Sequence, residues 1–414
     1  MTREFEKNIQ YYKFCLYGFL KNLRFFEPFL ILFFLEQDLS FLEIGILYSI
    51  RETLINIFEI PSGIIADSIG RKKTLIISFV FYILSFLVFF FSLNFIVFIG
   101  AMILFALGDA FRTGAHKAMI FNYLSINRWT AERTNYYGHT RSWSQIGSAI
   151  SSLLAAGIIF YTGNYKIIFI YSIIPYLLDL ILISSYPSYL DGKYKKLDIR
   201  LIKIKLIQTT KNFLLSFKNR NIIKSVSNVT SHSGLHKAIK DYLQPVIQTL
   251  VISIPFLLAY SEKQKSAIFI GIIYFIIYTL TSIASRFSDN FKSKIKGTER
   301  ALNTTLYIGL LLTILTGICY HYTYFIASII FYVMIFLIEN IRNPIGVSHI
   351  SSLYHDDILA TALSANSQIK SLFAAIFAPI IGLLADKFGV GIALSSLAIL
   401  ILLTTPLYIL RKSK

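Results

Sequence analysis

Apolar stretches of about 20 residues, the length a helix needs to cross a bilayer, recur along almost the whole 414-residue chain. No other feature constrains the fold as much. Scanned at that length, they number about twelve, near 12–35, 42–65, 74–92, 95–118, 138–161 and 166–186, then 222–245, 266–289, 299–319, 323–346, 360–383 and 388–410. The seventh is the least apolar, because VSNVTSHSGLHKAIKDYLQ is polar for lipid contact and has to turn that face into a bundle. Composition agrees: charged residues are 15% of the chain, against roughly 25% in soluble proteins. The expected fold class is an all-α integral membrane protein.

The loops alternate in charge. With the N-terminus inside, inner segments carry roughly seven Lys and Arg for each one in the outer loops. One span too many or too few would scramble that asymmetry, so both termini are expected on the cytoplasmic side of a cell membrane. The same bias accounts for the net charge of +18 without nucleic acid as a partner. Cys15 and Cys319 lie inside apolar segments and define neither a disulfide framework nor a metal site. MTREFEKNIQYYKF, with no clean apolar core or cleavage site, is expected to be a lead-in to the first span.

The longest loop is placed at 187–221. Its stretch Ile199–Phe217 mixes cations with Leu, Ile and Phe, which suits an amphipathic helix on the inner leaflet, a plain basic linker being the alternative. It leaves halves 1–186 and 222–414, a layout of secondary transporters built from repeats.

Residues 60–75, IPSGIIADSIGRKKTL, interrupt the apolar text with a short charge cluster. Gly63 would let a neighbouring helix approach. Asp67 at the membrane boundary can cap a helix or pair with an arginine. Gly70 permits a tight turn, and Arg71, Lys72 and Lys73 anchor the loop on the cytoplasmic face. A plain turn with cytoplasmic cations explains the basic residues, but not Asp67 between two spaced glycines.

Gly63-Ile-Ile-Ala-Asp67-Ser-Ile-Gly70-Arg71-Lys72 resembles the signature loop G-x-x-x-D-x-x-G-R-[KR] of the major facilitator superfamily. With the span count, central loop and cytoplasmic ends, the resemblance covers essentially the whole chain. It implies two pseudo-symmetric six-helix halves around a central cavity, and Gly63, Asp67, Gly70, Arg71 and Lys72 as a conformational latch remote from solute. A degraded second copy, ASRFSDNFKSKIKG, carries Asp289 followed by Lys292, Lys294 and Lys296. A further echo, Gly382-Leu-Leu-Ala-Asp386-Lys-Phe-Gly389, precedes the last span. The fifth span reads Gly147-Ser-Ala-Ile-Ser151 and lacks the Gly/Pro-rich motif of the family's drug antiporters, though its small residues still allow close packing. Arg112-Thr-Gly114-Ala-His116 likewise departs from the pattern around the buried span-four arginine of some antiporters.

About fifteen charged residues fall within the spans, and each would cost roughly 2.5–3.5 kcal/mol facing lipid at a helix centre. They must face a cavity, pair, or sit near an interface. Spacings of three and four put Tyr17, Lys21, Arg24 and Glu27 on one face of span one, and Asp109, Arg112 and His116 on one face of span four. Span two carries Arg51 and Glu52, with Asn56 and Glu59 continuing the Glu52 face. Span seven aligns His232, His236 and Lys240, with Lys237 and Asp241 alongside; span eleven adds Asn366 and Lys370. The family resemblance assigns the central pathway to spans one, four, seven and ten. Lys21, Arg24, Glu27, Arg51, Glu52, His236 and Lys370 fall near mid-membrane. Asp109, Arg112, Arg141 and Glu339 lie toward the cytoplasmic ends, where a structural ion pair is as good a reading as function.

His232 and His236 are i,i+4 partners that could share a metal, but HSGLH lacks the glutamate of a zinc hydrolase. Metal binding ranks below polar packing and below contact with proton or solute. No nucleotide-binding loop, Ser/His/Asp arrangement or phosphate-cradling glycine pattern stands out, so neither enzymatic activity nor a cofactor is expected.

The expected function is movement of a small solute by alternating access, driven most plausibly by protons, in a monomer. Glu27, Glu52, Asp109 or His236 would carry the proton, and Lys21, Arg24, Arg51 and Lys370 would hold or balance an anionic or zwitterionic solute. Export of a toxic compound or metabolite through an aromatic-rich pocket is preferred. Proton-coupled uptake of an anionic or zwitterionic metabolite is the alternative, and a receptor that moves no solute is a third reading.

Overall fold

In the computed structural model, residues 5–191, 204, 207–208, 211, 220–254, 259–295, 297–353 and 356–411 are described. The apolar text folds into helices, and no strand occurs among the described residues. The first half runs through α1 (Ile9–Lys21), α2 (Leu30–Glu36), α3 (Phe41–Ile69), α4 (Arg71–Phe91), α5 (Phe95–Arg112), α6 (Ala115–Ile126), α7 (Arg133–Thr162) and α8 (Ile167–Ser184). The second runs through α9 (Arg220–Ile239), α10 (Leu243–Ser253), α11 (Glu262–Ala284), α12 (Ser288–Lys294), α13 (Thr298–His321), α14 (Phe325–Ser352), α15 (Asp356–Phe388) and α16 (Val390–Thr404). The helix expected over Ile199–Phe217 lies, but for a few residues, outside the described ones.

Nine helical stretches among the described residues are long and apolar enough to cross a membrane. The expected spans that fall short are the first, second and seventh. The first is split into α1 and α2, and the seventh into α9 and α10 around a short 3-10 segment at Lys240–Tyr242. The second, α3, is 29 residues long but carries Glu43, Arg51, Glu52, Glu59 and Asp67.

The breaks correct several sequence expectations. Span one is not one continuous face: α1 ends at Lys21, Arg24 lies in the irregular link, and Glu27 opens a one-turn 3-10 segment, Glu27–Phe29. Span four breaks at Thr113 and Gly114, the glycine at φ 83°, so His116 does not continue the helix that holds Asp109 and Arg112. Lys240 likewise falls beyond the end of α9 and does not extend the His232 and His236 row. The signature loop shrinks to one residue. α3 continues through Asp67 to Ile69, Gly70 turns the chain at φ 101°, and α4 begins at Arg71. An L-residue with a side chain would be strained there. Gly297, closing the degraded copy, stands in the same place before α13 at φ 145°.

The chain divides into two compact units. The first comprises Met1–Phe29, Leu54–Leu206 and Gly271–Tyr278; the second comprises Leu30–Thr53, Ile207–Ile270 and Thr279–Lys414. In the first unit, α4 packs closely on α5, where Ser78 Oγ donates to Gly108 O and Ser85 Oγ to Ala101 O, both at 2.8 Å. Small residues let backbones meet and hydroxyls satisfy carbonyls that lipid could not. Against this pair α8 sets Phe169 and Tyr176, whose rings meet Tyr82, Phe86 and Phe89 at centroid distances of 4.8–5.1 Å. Gly147 of α7 lies against the Phe19 carbonyl oxygen, the close packing expected of its small-residue stretch.

In the second unit, Ser328 Oγ donates to Thr316 O at 2.9 Å between α14 and α13, and Ser395 Oγ to Ile314 O at 3.0 Å between α16 and α13. The segment Leu30–Thr53 belongs to this unit, with contacts at both ends of α2. The Ile31 amide near the start of α2 donates to buried Gln244 Oε1 at 2.8 Å. Lys263 bonds Glu36 at the other end of α2.

Candidate functional site

Many of the charged residues in the spans are paired, and those pairs gather in three clusters among the described residues. The first lies in the first unit. The break after α1 releases Arg24 sideways, and its Nη2 lies 3.6 Å from Asp109 Oδ1. Arg112, one turn after Asp109 on α5, donates from Nη2 to the same oxygen at 3.0 Å and from Nε to the Tyr82 hydroxyl, also at 3.0 Å. Tyr82 on α4 donates its hydroxyl to Asp109 Oδ1. Two guanidinium groups and a phenol therefore hold one carboxylate. The side chains of Arg24, Asp109 and Arg112 keep 15–19% of their surface. Lys21 ends α1 beside it, and its carbonyl lies 3.4 Å from the Tyr176 hydroxyl. His116 stacks on Tyr17 with centroids 3.6 Å apart, its Nε2 3.2 Å from the Tyr186 hydroxyl.

The other clusters are in the second unit. Glu339 of α14 is bound by His232 Nδ1 at 2.8 Å, donated to by Ser233 Oγ at 2.6 Å, and paired with Lys370 Nζ at 3.3 Å. His232 reaches it because Gly309 leaves the imidazole room: a Cβ there would overlap its Nε2. His236, one turn further along α9, meets Phe336 edge-on at 4.8 Å, and its Nδ1 has no hydrogen-bond partner among the described residues. In the third cluster Glu52 takes Arg51 Nη2 at 3.1 Å and the Lys237 ammonium, which also donates to Ser371 Oγ at 3.0 Å. The Arg51 guanidinium lies over the Tyr48 ring, 4.8 Å from its centroid.

Of the residues singled out from sequence, Arg24, Asp109 and Arg112 come together, as do Arg51 and Glu52, and His232 and Lys370 meet through Glu339. Sequence reasoning missed Tyr82, Ser233 and Asp179. It also missed Arg342, which is fully buried. Arg342 donates from Nη1 to Leu302 O and to Thr305 Oγ1 at 2.8 Å, and from Nη2 to Asn228 O at 2.5 Å and Asn228 Oδ1 at 2.7 Å. A signal for it was present. Asp109-Ala-Phe-Arg112 in span four and Glu339-Asn-Ile-Arg342 in span ten repeat an acid followed by arginine three residues on.

The signature residues lie in the first unit, away from the Arg24 cluster by sequence and by partner. Asp67 Oδ1 is 3.6 Å from Arg71 Nη2, and Arg71 Nη1 donates to Ala118 O at 3.4 Å. The Lys72 amide donates to Asp191 Oδ1 at 2.6 Å and its Nζ to Tyr186 O at 2.8 Å, so Asp191 caps the start of α4. The expected close approach at Gly63 is not found: a Cβ there meets nothing within 4 Å. No group of three or more His, Cys, Asp or Glu that could hold a metal ion occurs among the described residues.

Comparison with known proteins gives the cluster its setting. The family model of the major facilitator superfamily matches residues 15–372. The chain is 27% identical over 395 residues to YxaM of Bacillus subtilis (strain 168), described as an uncharacterized MFS-type transporter, covering 92% of this chain and 90% of the relative. Among solved structures it resembles the nucleoside transporter NupG with a TM-score of 0.71 at 12% identity, over 96% of each chain. It also resembles the peptide transporter POT in complex with sulfate, with a TM-score of 0.70 at 13% identity, over 99% of this chain and 96% of that one. At such identities these structures share the fold.

Proposed function

Because the chain belongs to the major facilitator superfamily of multi-pass membrane transporters, we propose that it moves a small anionic or zwitterionic solute by alternating access, coupled to protons. The observation that carries the solute class is the cluster around Asp109. Arg24 and Arg112 share the Asp109 carboxylate and Lys21 ends α1 beside them, gathering positive charge in a largely buried setting. A carboxylate or phosphate group would balance it, and planar guanidinium groups suit either.

A specific observation also bears on direction. Some of the aromatic residues in the spans are engaged with one another. Phe26, Phe86, Phe89, Phe105 and Phe169 are buried in ring-to-ring contacts within the first unit. This favours uptake of a charged metabolite over export of a bulky amphiphile. The setting is a plasma membrane with both termini at the cytoplasmic face, Asp67 and Arg71 acting as a latch far from the solute.

The test is a thermal-shift panel on purified protein with carboxylates, phosphates, amino acids, nucleosides and hydrophobic cations, followed by flux of the hits in proteoliposomes. Stabilisation by an acidic or zwitterionic compound, lost in Arg24→Gln, and flux accelerated by an inward proton gradient are the expected results. Stabilisation confined to cationic or neutral amphiphiles, with flux in everted vesicles, would return the reading to export. Binding without flux would make the protein a receptor.

A further inference from the structure

α8 buries one face at steps of three and four residues: Ile168, Phe169, Ser172, Pro175, Tyr176, Asp179 and Ile183. Asp179 is the anomaly in that row. It is an acid on an inward helix face, fully buried, and neither carboxyl oxygen has a hydrogen-bond partner among the described residues. The other buried acids are all served. Glu52 has two cations, Glu339 a histidine, a serine and a lysine, Asp191 the Lys72 amide, and Asp241 the Lys240 ammonium at 3.7 Å.

The ionisable groups facing Asp179 are Tyr17 and Lys21 of α1, Arg112 at the end of α5, Tyr186 beyond α8, and Tyr176 on its own helix. Most are committed elsewhere. Arg112 serves Asp109 and Tyr82; Tyr176 faces the Lys21 carbonyl; the Tyr186 hydroxyl donates to Lys13 O at 3.3 Å. Tyr82 of α4, edge-on to Tyr176 at 5.1 Å, donates its hydroxyl hydrogen bond to Asp109. His116 of α6 stacks on Tyr17, and the Tyr17 hydroxyl is buried without a hydrogen-bond partner among the described residues. Lys21 makes no ion pair among the described residues.

We propose that Asp179 is a proton-binding site, carrying a proton in the state seen here and taking the Lys21 ammonium as its counter-ion once the proton leaves. A buried carboxylate with no donor is strongly disfavoured, and two things relieve it: a proton or a cation. The protonated acid carries no charge and so needs no counter-ion. On release, the proton passes from the Asp179 carboxyl to water, the group becomes a carboxylate, and the Lys21 side chain swings to it as the ammonium; no other bond changes.

The proposal deepens the transport reading and rests on its proton coupling. Lys21 cannot serve Asp179 and an anionic solute at once. A proton on Asp179 frees Lys21 beside Arg24, whose Nε is also buried without a hydrogen-bond partner among the described residues. Proton and anion then favour each other's binding, as linkage requires, and a pair that binds together is carried together.

The test needs neither solute nor gradient. Infrared difference spectra of the purified wild type in nanodiscs near neutral pH are expected to show the carbonyl stretch of a protonated carboxylic acid, shifted in heavy water. Asp179→Asn should remove that band, while Asp109→Asn and Glu339→Gln keep it. Lys21→Met should move its disappearance upward by about one pH unit or more, because the ionised form loses its counter-ion. A wild type without the band, a band surviving in Asp179→Asn, or one lost in Asp109→Asn would overturn the assignment. So would a Lys21→Met band titrating where the wild type does, as far as the exchange with Lys21 is concerned. If Asp179→Asn does not fold, the wild-type band and its Lys21→Met shift still decide the matter. Wild-type flux indifferent to a pH gradient would instead sink the coupling reading while leaving the band to stand or fall separately.

Discussion

Asp386 accepts the backbone amide of Phe41 at 2.8 Å, and its second oxygen accepts that of Leu42 at the same distance. These are amides at the start of α3, which no turn of helix can satisfy. The echo Gly382–Gly389 therefore has a physical task in the second unit. Gly382 brings α15 so close that a Cβ would overlap the Phe41 carbonyl oxygen. Gly45 does the reverse one turn on, meeting the Ala378 carbonyl. Replacing Asp386 by Ala removes a carboxylate cap and is expected to cost about 1 kcal/mol. Asp386→Asn, keeping an acceptor, should recover part of the lost melting temperature in detergent. Equal melting of wild type and Asp386→Ala would show the cap to be idle.

Arg342 is expected to be structural. Its guanidinium serves four acceptors in a space with no water access, and lysine cannot reproduce that fork. Arg342→Lys leaves carbonyl and hydroxyl acceptors at Asn228, Leu302 and Thr305 short of donors. A loss on the order of 3 kcal/mol follows, read as a lower unfolding midpoint and a broadened gel-filtration peak. A stable, inactive Arg342→Lys would instead move this residue into the transport chemistry.

Gly309→Ala sets a methyl group where the His232 imidazole now lies. Overpacking of this kind costs about 1–3 kcal/mol. The imidazole must leave Glu339, so Gly309→Ala should mimic His232→Ala in both melting temperature and flux. Adding His232→Ala to Gly309→Ala should then do little more. Fully additive losses would show that the glycine acts elsewhere.

Arg24→Gln and Asp109→Asn should have opposite effects on an acidic ligand. The first removes a cation and is expected to weaken binding about tenfold, or roughly 1.4 kcal/mol. The second removes the carboxylate that competes for Arg24 and Arg112, so affinity should hold or rise even as stability falls. Isothermal titration with the ligand found in the thermal-shift panel reads both. A parallel loss in the two variants would mean that Asp109 itself contacts the solute.

Asp67→Asn tests the latch. The Asp67 side chain is 39% exposed and its pair with Arg71 is an i,i+4 surface bridge, so stability should change by about 0.5 kcal/mol or less. Flux should nonetheless fall if the loop governs a conformational step. Unchanged flux with unchanged stability would reduce the motif to a turn with anchoring cations.

The sequence by itself determined the class of fold, because apolar length and loop charge answer to the bilayer and not to the rest of the protein. It also marked Arg24, Asp109, Arg112, Glu52 and His232, since a charge in an apolar span is costly enough to be conspicuous. Periodicity then misled where it assumed unbroken helices. Arg24 and Glu27 lie beyond the end of α1, and Gly114 separates His116 from Arg112, because where a helix breaks is decided by tertiary packing and not by residue spacing. Tyr82 and Tyr176 were illegible as site residues: a tyrosine in an apolar span looks like any core aromatic until its hydroxyl finds Asp109 or the Lys21 carbonyl. Which carboxylates are bonded and which is solitary was decided only by tertiary structure. Asp109 and Asp179 are both lone acids in apolar helices. Donors arriving from α4, from α5 and from the break after α1 reach the first, and none among the described residues reaches the second.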